Sequence, residues 1–152
     1  MKITIMPGRE EELILRCPDP DLPHIQALLA LLAEAERRIP AQEGENRAFL
    51  SPADVLYAES VDRGVYVCTR EAVYKTPLSL AQLESWFPSL IRCARTTLVR
   101  LGAIDRLRTA PGGRILATLA NGERILITRR YAAALRERLY RLTEDPQKGA
   151  IP

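Results

Sequence analysis

The sequence contains a single histidine, His24, and three cysteines far apart in the chain, Cys17, Cys68 and Cys93. No two cysteines have the CxxC spacing, and neither a phosphate-binding P-loop nor a dinucleotide-binding glycine motif is present. A lone histidine at the start of an apolar helix is most often packed or solvated, not a catalytic base or a ligand. The sequence therefore predicts no enzymatic activity, no metal site and no cofactor.

Long apolar segments are also absent. The longest run, from Ala27 to Ala33, is far shorter than the roughly 18 residues that a membrane-spanning helix needs. The first residues include an acidic triplet, Glu10 to Glu12, where a signal peptide would be basic and then apolar. An odd number of separated cysteines is typical of reduced thiols rather than of a disulfide framework. We therefore expect a cytoplasmic protein.

Lysine is scarce and arginine is abundant, with three lysines and 19 arginines in 152 residues. Residues 91–141 contain twelve arginines and only three acidic residues, whereas residues 1–62 contain six basic and twelve acidic residues. A positive field confined to one part of a small protein indicates a polyanionic partner, most often nucleic acid. A guanidinium group can bind a phosphate or the edge of guanine through two parallel hydrogen bonds. The alternative is a basic surface that only contacts water.

The N-terminal part is predicted to be a small ββα element. Residues 2–6 and 12–17 have the composition of short strands. From Leu22 to Ile39 the apolar residues recur at helical spacing, and Pro40 is expected to end that helix. Residues 41–47 are polar and are predicted to be a linker, and residues 143–152 to be a flexible tail. The domain boundaries are therefore 1–40, 41–47, 48–142 and 143–152.

The part after the linker is predicted to be rich in β-strands. Strands are expected at residues 55–60, 64–69, 72–75, 104–108, 115–119 and 124–127. Turns are expected at Pro111-Gly112-Gly113 and at Asn121-Gly122, the latter a strong hairpin signal.

Two helices are predicted in the same part. Ser79 and Gln82 have the spacing of a capping box, and Leu78 and Leu83 occupy the hydrophobic-staple positions beside it. The residues of that helix expected to face the core are Leu80, Leu83, Trp86 and Phe87. A closing helix follows Thr128, and its apolar face is formed by Tyr131, Leu135, Leu139 and Leu142.

Two groups of arginines are candidates for nucleic-acid contacts. The stretch IRCARTT at residues 91–97 combines Arg92 and Arg95 with hydroxyl groups, which are common donors to phosphates and base edges. Arg129 and Arg130 lie in the first turn of the closing helix, where cations oppose the helix dipole. A bound phosphate would remove that conflict, because both arginines and the free backbone N–H groups could converge on it. Otherwise both side chains extend into water.

From about Ala48 to Leu142 the chain resembles the LytTR-type DNA-binding domain of bacterial transcription regulators. The resemblance rests on an ordered set of short pieces: DVLYAES at 54–60, VYVCT at 65–69, LSLAQLE at 78–84, IRCARTTLV at 91–99, GR at 113–114, Leu119, NGE at 121–123 and ITRRY at 127–131. No single piece is specific, but their order over about two-thirds of the chain is. The sequence also lacks a receiver-domain pattern, as short stand-alone members of the family do.

The resemblance implies an α+β, mainly β fold: an elongated β-sheet domain whose loops enter successive major grooves of double-stranded DNA. It further implies contacts from the turn at Asp62, Arg63 and Gly64, from the segment around Arg95 and Thr96, and from Arg130 with Arg129 beside it. Arg100 replaces a frequent asparagine of the family and is interpreted as a surface change or as an added phosphate contact. The expected DNA-binding residues are Arg63, Gly64, Arg92, Arg95, Thr96, Arg100, Arg129 and Arg130.

Partners are also implied by the resemblance. Family members bind direct repeats as homodimers, and the stand-alone members work with membrane-protein partners, so the N-terminal element is a candidate for either contact. Two other functions remain open on the residues alone: an adaptor whose basic face docks on an acidic protein or membrane surface, and a structured-RNA binder. Cys93 lies between Arg92 and Arg95, so it is either an oxidant-sensitive thiol or a buried, inert one.

Overall fold

The computed structural model describes Thr4, Gly8 and residues 14–143. Within this part the helices are α1 (Pro23–Glu36), α2 (Leu80–Trp86) and α3 (Arg129–Thr143). The strands are β1 (Ile39–Glu43), β2 (Asn46–Leu50), β3 (Val55–Val61), β4 (Gly64–Thr69), β5 (Val73–Thr76), β6 (Leu90–Ala94), β7 (Thr97–Arg100), β8 (Ile104–Ala110), β9 (Arg114–Leu119) and β10 (Arg124–Ile127). None of the helices in the described residues is long and apolar enough to cross a membrane.

The strands form two antiparallel sheets. The seven-stranded sheet has the order β2-β1-β5-β4-β3-β7-β6, and the three-stranded sheet has the order β10-β9-β8. This mainly β arrangement with few helices confirms the predicted fold class. The expected strands in the second half of the chain are all present, to within a few residues at their ends.

The strands β3, β7 and β6 of the seven-stranded sheet contribute to cores on both faces. On one face α2 packs Leu83 and Phe87 against Val67 and Leu98. On the other face the three-stranded sheet and α3 form a second core with residues of β3, β6 and β7. The members of this second core are Leu56, Cys93, Val99, Leu101, Ala103, Ile115, Ala117, Leu119, Ile127, Ala132 and Leu135. Because consecutive strand residues point to opposite faces, Leu98 and Val99 belong to different cores although they are adjacent in sequence.

The capping box at the start of α2 is confirmed. The Gln82 amide donates to the Ser79 hydroxyl at 3.1 Å, and the Ser79 amide donates to the Gln82 side-chain oxygen at 2.9 Å. Leu80, Leu83 and Phe87 are buried as predicted, but Trp86 is 41% exposed. The prediction that Trp86 faces the core was wrong: its indole lies near the surface, with the Arg37 guanidinium over the ring, 6.0 Å from its centre.

The predicted linker at residues 41–47 was also wrong. These residues lie in the β1–β2 hairpin at the edge of the seven-stranded sheet, where Ala41 pairs with Ala48 and Gln42 pairs with Arg47 and Lys75. Gly44 turns the hairpin with a φ of +59°, a conformation that favours glycine. The outer strand of an edge hairpin has one edge and one face exposed to water, so polar residues are tolerated there. The composition of the hairpin therefore resembles that of a linker.

The N-terminal element differs from the prediction in two further ways. Ile39 is not the end of the helix; it begins β1, because the residue before a proline is sterically disfavoured in the helical region and Pro40 follows it. Residues 14–17 form no strand, and the remainder of both predicted N-terminal strands lies outside the described residues apart from Thr4. The C-terminal end of α1 is tied to the main domain by Glu34, whose buried carboxylate accepts hydrogen bonds from the amide and hydroxyl of Ser89.

We predict that Leu98→Ala lowers the free energy of unfolding by about 2–5 kcal/mol, because the leucine is fully buried in the core under α2 and its truncation leaves a cavity. Urea denaturation followed by circular dichroism measures the change. Leu31→Ala is the matched control, because Leu31 is 55% exposed on α1 and alanine favours a helix. Equal losses in the two variants would contradict the assignment of the core.

Candidate nucleic-acid interface

Two turns of the seven-stranded sheet lie side by side at one end of it. The β3–β4 turn contains Asp62 and Arg63, and the β6–β7 turn contains Arg95 and Thr96. The Ser60 amide donates to the Thr96 carbonyl at 2.9 Å, which joins the end of β3 to the second turn. In the strand order β4-β3-β7-β6 the two turns are centred two strands apart, a separation of about 10 Å.

The start of α3 is attached beside the same turn. A register shift in β6 between Arg92 and Ala94 leaves Cys93 outside the β6–β7 ladder, as in a β-bulge. The Cys93 carbonyl instead accepts a hydrogen bond from the Thr128 amide at 3.0 Å. Thr128 immediately precedes α3, so Arg129 and Arg130 begin next to the β6–β7 turn. The three predicted contact places therefore lie in a row at one end of the molecule; we refer to residues 62–64, 95–96 and 129–130 as the arginine row.

The first part of the row is a tight turn. Asp62 and Arg63 have φ values of +46° and +67°, so both lie in the left-handed region that two-residue hairpin turns require. Arg63 is exposed, whereas Gly64 is buried. A Cβ atom on Gly64 would be 3.1 Å from Cε2 of Tyr66, so the tyrosine ring fills the space that a side chain would need. Gly64 thus shapes the turn, and the side chain available to a partner is that of Arg63.

Arg92 is bonded within the protein. Its Nη2 atom is 2.8 Å from Oε2 of Glu84, its Nε atom donates to the same oxygen at 2.9 Å, and its Nη1 atom donates to the Arg95 carbonyl at 2.8 Å. This guanidinium group therefore fixes the main chain of the β6–β7 turn, while the side chains of Arg95 and Thr96 remain exposed. The Glu84 partner was missed in the sequence, where eight residues and a change of element separate the pair.

Arg100 does not join the arginine row. It lies at the opposite end of β7 from Thr97. Its Nε atom donates to the Val55 carbonyl, and its Nη1 atom lies close to Gly102, where an added Cβ atom would be only 2.7 Å away. Burial lowers the pKa of the Arg100 guanidinium. These contacts assign Arg100 to the packing of the strand ends, in place of the surface change or added phosphate contact that was expected.

Arg129 and Arg130 are both exposed and diverge from each other. The Arg129 side chain crosses Gly113 in the β8–β9 turn. A Cβ atom added to Gly113 would be 3.1 Å from Cγ of Arg129. The Arg130 guanidinium lies 5.5 Å from the centre of the Tyr131 ring. The amides of Tyr131 and Ala132 donate to the Thr128 carbonyl, so the helix begins directly after this residue. Phosphate binding by the two arginines remains a prediction.

A further arginine close to this row was not among the predicted residues. Arg114 begins β9, and β9 pairs with β10 so that Ile115 is opposite Ile127, which places Arg114 and the β8–β9 turn beside the start of α3. The Arg114 Nε atom donates to the Pro111 carbonyl at 2.8 Å. Arg114 could have been predicted as a contact residue from its position directly after the Gly112-Gly113 turn. An arginine at a hairpin turn that lies next to a basic helix start extends the same positive surface.

Candidate metal ligands do not cluster in the part of the chain that the structure describes: no three of its His, Cys, Asp or Glu residues are grouped to hold an ion. Cys93 is fully buried, and its Sγ atom donates to the Thr97 carbonyl at 3.5 Å. Burial raises the pKa of the Cys93 thiol to about 12, and the nearby Arg92 only partly offsets this effect. The geometry therefore favours the buried, inert thiol over the oxidant sensor.

Comparison with known proteins gives a consistent result. Residues 45–140 match the family model described as the LytTr DNA-binding domain. Over 112 residues the chain is 34% identical to the transcriptional regulatory protein BtsR of Escherichia coli K12, a match that covers 73% of this chain and 46% of BtsR. It is 30% identical over 88 residues to an HTH-type transcriptional regulator of Staphylococcus aureus, covering 57% of this chain and 60% of that protein.

A solved structure shares the fold. A LytTr DNA-binding domain from Bacillus cereus superposes with a TM-score of 0.64 at 24% sequence identity, covering 67% of this chain and 95% of that domain. The chain spans about half the length of BtsR.

We predict that Cys93 resists thiol reagents in the folded protein. At pH 8 a thiol with a pKa near 12 has almost no thiolate, and the Sγ atom is closed off from water. Titration with Ellman's reagent should label Cys17, which is partly exposed, and should label Cys93 only after unfolding in guanidinium chloride. Mass spectrometry of the digested protein identifies the labelled residue. Rapid labelling of Cys93 without denaturant would contradict the buried position.

Proposed function

Because the chain belongs to the LytTR DNA-binding domain family, we propose that it binds specific sites on double-stranded DNA and regulates transcription in the cytoplasm. The observation that carries the proposal is the arginine row, in which three separate connections present Arg63, Arg95, Arg129 and Arg130 at one end of the molecule. Thr96 adds a hydroxyl donor in the middle of the row. All places in this row contact grooves on one face of the duplex.

The chemistry of the row suits both phosphates and bases. Each guanidinium group can donate two parallel hydrogen bonds to a phosphate or to O6 and N7 of guanine. The backbone that supports these side chains is held by hydrogen bonds, since Arg92 binds the Arg95 carbonyl and Thr128 binds the Cys93 carbonyl. A fixed backbone reduces the conformational entropy that is lost when the complex forms.

The regulator is further proposed to act as a homodimer on direct repeats. The candidate contact is α1, whose apolar side chains are only partly covered: Leu29, Leu31 and Leu32 are 41%, 55% and 40% exposed. Three exposed leucines on one short helix favour association with another surface over permanent contact with water. A membrane-protein partner is the alternative occupant of this helix.

We predict that Arg130→Ala weakens binding to a selected duplex by about 1–3 kcal/mol, because it removes a guanidinium group that contacts DNA. The duplex is first selected from a random pool, and fluorescence anisotropy then measures the dissociation constant. Arg141→Ala is the matched control: it removes the same charge from the same helix, but Arg141 lies in its last turn and bonds to Glu137 at 2.6 Å.

The outcome for Arg130 separates the competing functions. If Arg130→Ala binds the duplex as tightly as the parent protein, the role assigned to Arg130 is wrong. If the parent protein prefers a hairpin RNA or acidic lipid vesicles to the selected duplex at the same salt concentration, the DNA-binding proposal itself fails.

We also predict that two chains bind cooperatively to a duplex with two direct repeats. Replacing Leu29 and Leu32 with glutamate should abolish the cooperativity, because each buried carboxylate would cost more than the apolar contact gains, and should leave binding to a single repeat unchanged. Sedimentation velocity of the complexes gives the stoichiometry. One chain per two-repeat duplex, or unaltered cooperativity in the variant, would refute dimerisation through α1.

A further inference from the structure

A shallow cleft lies between the β8–β9 turn and the first two turns of α3. It has a volume of about 330 Å³, and its polar lining consists of Thr109, Arg114, Arg129 and Arg136. No acidic residue lines it. Three guanidinium groups that border one small space repel each other, and this repulsion is relieved when an anion occupies the space.

The spacing of residues along α3 produces one wall of the cleft. Arg129 and Arg136 are seven residues apart, two helical turns or about 10 Å along the axis, so they lie on the same side of the helix. Between them this side carries Ala132 and Ala133, whose small side chains leave the space open. Arginines at both ends of an alanine floor can approach one anion from two directions.

The opposite wall is formed by the turn before β9. The Arg114 Nε atom is held on the Pro111 carbonyl at 2.8 Å, which leaves the other nitrogens of this guanidinium group available as donors. The Arg129 side chain lies across Gly113, whose φ is +74° and whose missing Cβ would be only 3.1–3.5 Å from three atoms of that arginine. The positive φ favours glycine there, and the absence of a Cβ leaves room for Arg129 to pass close to the turn.

The cleft is continuous with the arginine row at its α3 end. Arg129 belongs to both, and the pairing of Ile115 with Ile127 places the β8–β9 turn next to the start of α3. We infer that the cleft seats one phosphate group, which in the complex is a backbone phosphate of the DNA just outside the bases reached by the row. This inference rests on the proposed DNA binding, and it adds Arg114 and Arg136 to the residues that contact the duplex.

Such a contact anchors the protein without reading sequence. Phosphate contacts fix the position and register of a protein on the duplex, whereas contacts to base edges provide discrimination. Loss of the cleft should therefore weaken binding to specific and scrambled duplexes equally. It should also reduce the slope of log affinity against log salt by about 0.9, the value for one neutralised phosphate.

The experiment compares four proteins: the parent chain, Arg136→Gln, Ala133→Leu and Arg141→Gln. The first variant removes a charge from the cleft, and the second fills the cleft while it keeps every charge; Ala133 is exposed and leucine suits a helix, so the fold is retained. Arg141→Gln removes a charge about 18 Å along the helix from Arg129 and is the control for long-range electrostatics. Anisotropy titrations from 50 to 200 mM NaCl use one selected and one scrambled duplex.

The expected result is a slope reduced by about 0.9 in Arg136→Gln and in Ala133→Leu on both duplexes, with no change in Arg141→Gln. Between 50 and 200 mM NaCl, the ratio of each cleft variant's dissociation constant to that of the parent then falls about three- to fourfold. Unchanged slopes in both cleft variants overturn the inference while the parent still binds DNA. A reduced slope in Arg136→Gln but not in Ala133→Leu overturns the seated phosphate, because charge alone would then explain the effect.

A second arm distinguishes the source of the phosphate. Inorganic phosphate is added to the free proteins and the melting temperature is recorded. Stabilisation of the parent but not of Ala133→Leu, together with unchanged duplex slopes, assigns the cleft to a free phosphate ligand and overturns the DNA contact. A parent chain that binds no duplex at any salt concentration refutes the proposed function itself, an outcome distinct from those above.

Discussion

Burial of both faces of β3 and β7 determines where every exposed arginine of the interface lies. Because these two strands contribute side chains to the core under α2 and to the core under the three-stranded sheet, neither can shift register without exposing one set. Their ends therefore have fixed positions, and so do the turns that contain Arg63 and Arg95. The Thr128–Cys93 hydrogen bond extends the same constraint to α3 and its arginines.

The arginines of the second half of the chain consequently perform different tasks. Arg92 and Arg100 bind backbone carbonyls, and Arg92 also pairs with Glu84, so both support the scaffold. Arg95, Arg129 and Arg130 are exposed at the ends of the elements that the scaffold holds. Lysine is a poorer substitute for Arg92, because one planar guanidinium group can bind a carboxylate and a carbonyl at the same time. This division explains why arginine content alone overstates the number of groups available to a partner.

The features that could be predicted from the sequence are those set by local chemistry. The capping box of α2 and the Asn121-Gly122 hairpin depend on a few adjacent residues, and both were predicted correctly. The β1–β2 hairpin was missed because an exposed edge needs little apolar content. The strands β6 and β7 were missed because their residues face two different cores and so show no simple alternation. The partners of Arg92 and Arg100 depend on tertiary folding, which residue spacing does not reveal.

The central claim is that one end of the molecule, and no other surface, contacts DNA. Amide chemical-shift mapping by NMR tests it most directly, on addition of a selected duplex with a single repeat, so that no second chain contacts α1. The account predicts that the largest shifts fall on residues 62–64, 95–97, 112–114 and 129–136, which come from three turns and the first part of α3. Shifts concentrated instead in α1 and in the β1–β2 hairpin would contradict it.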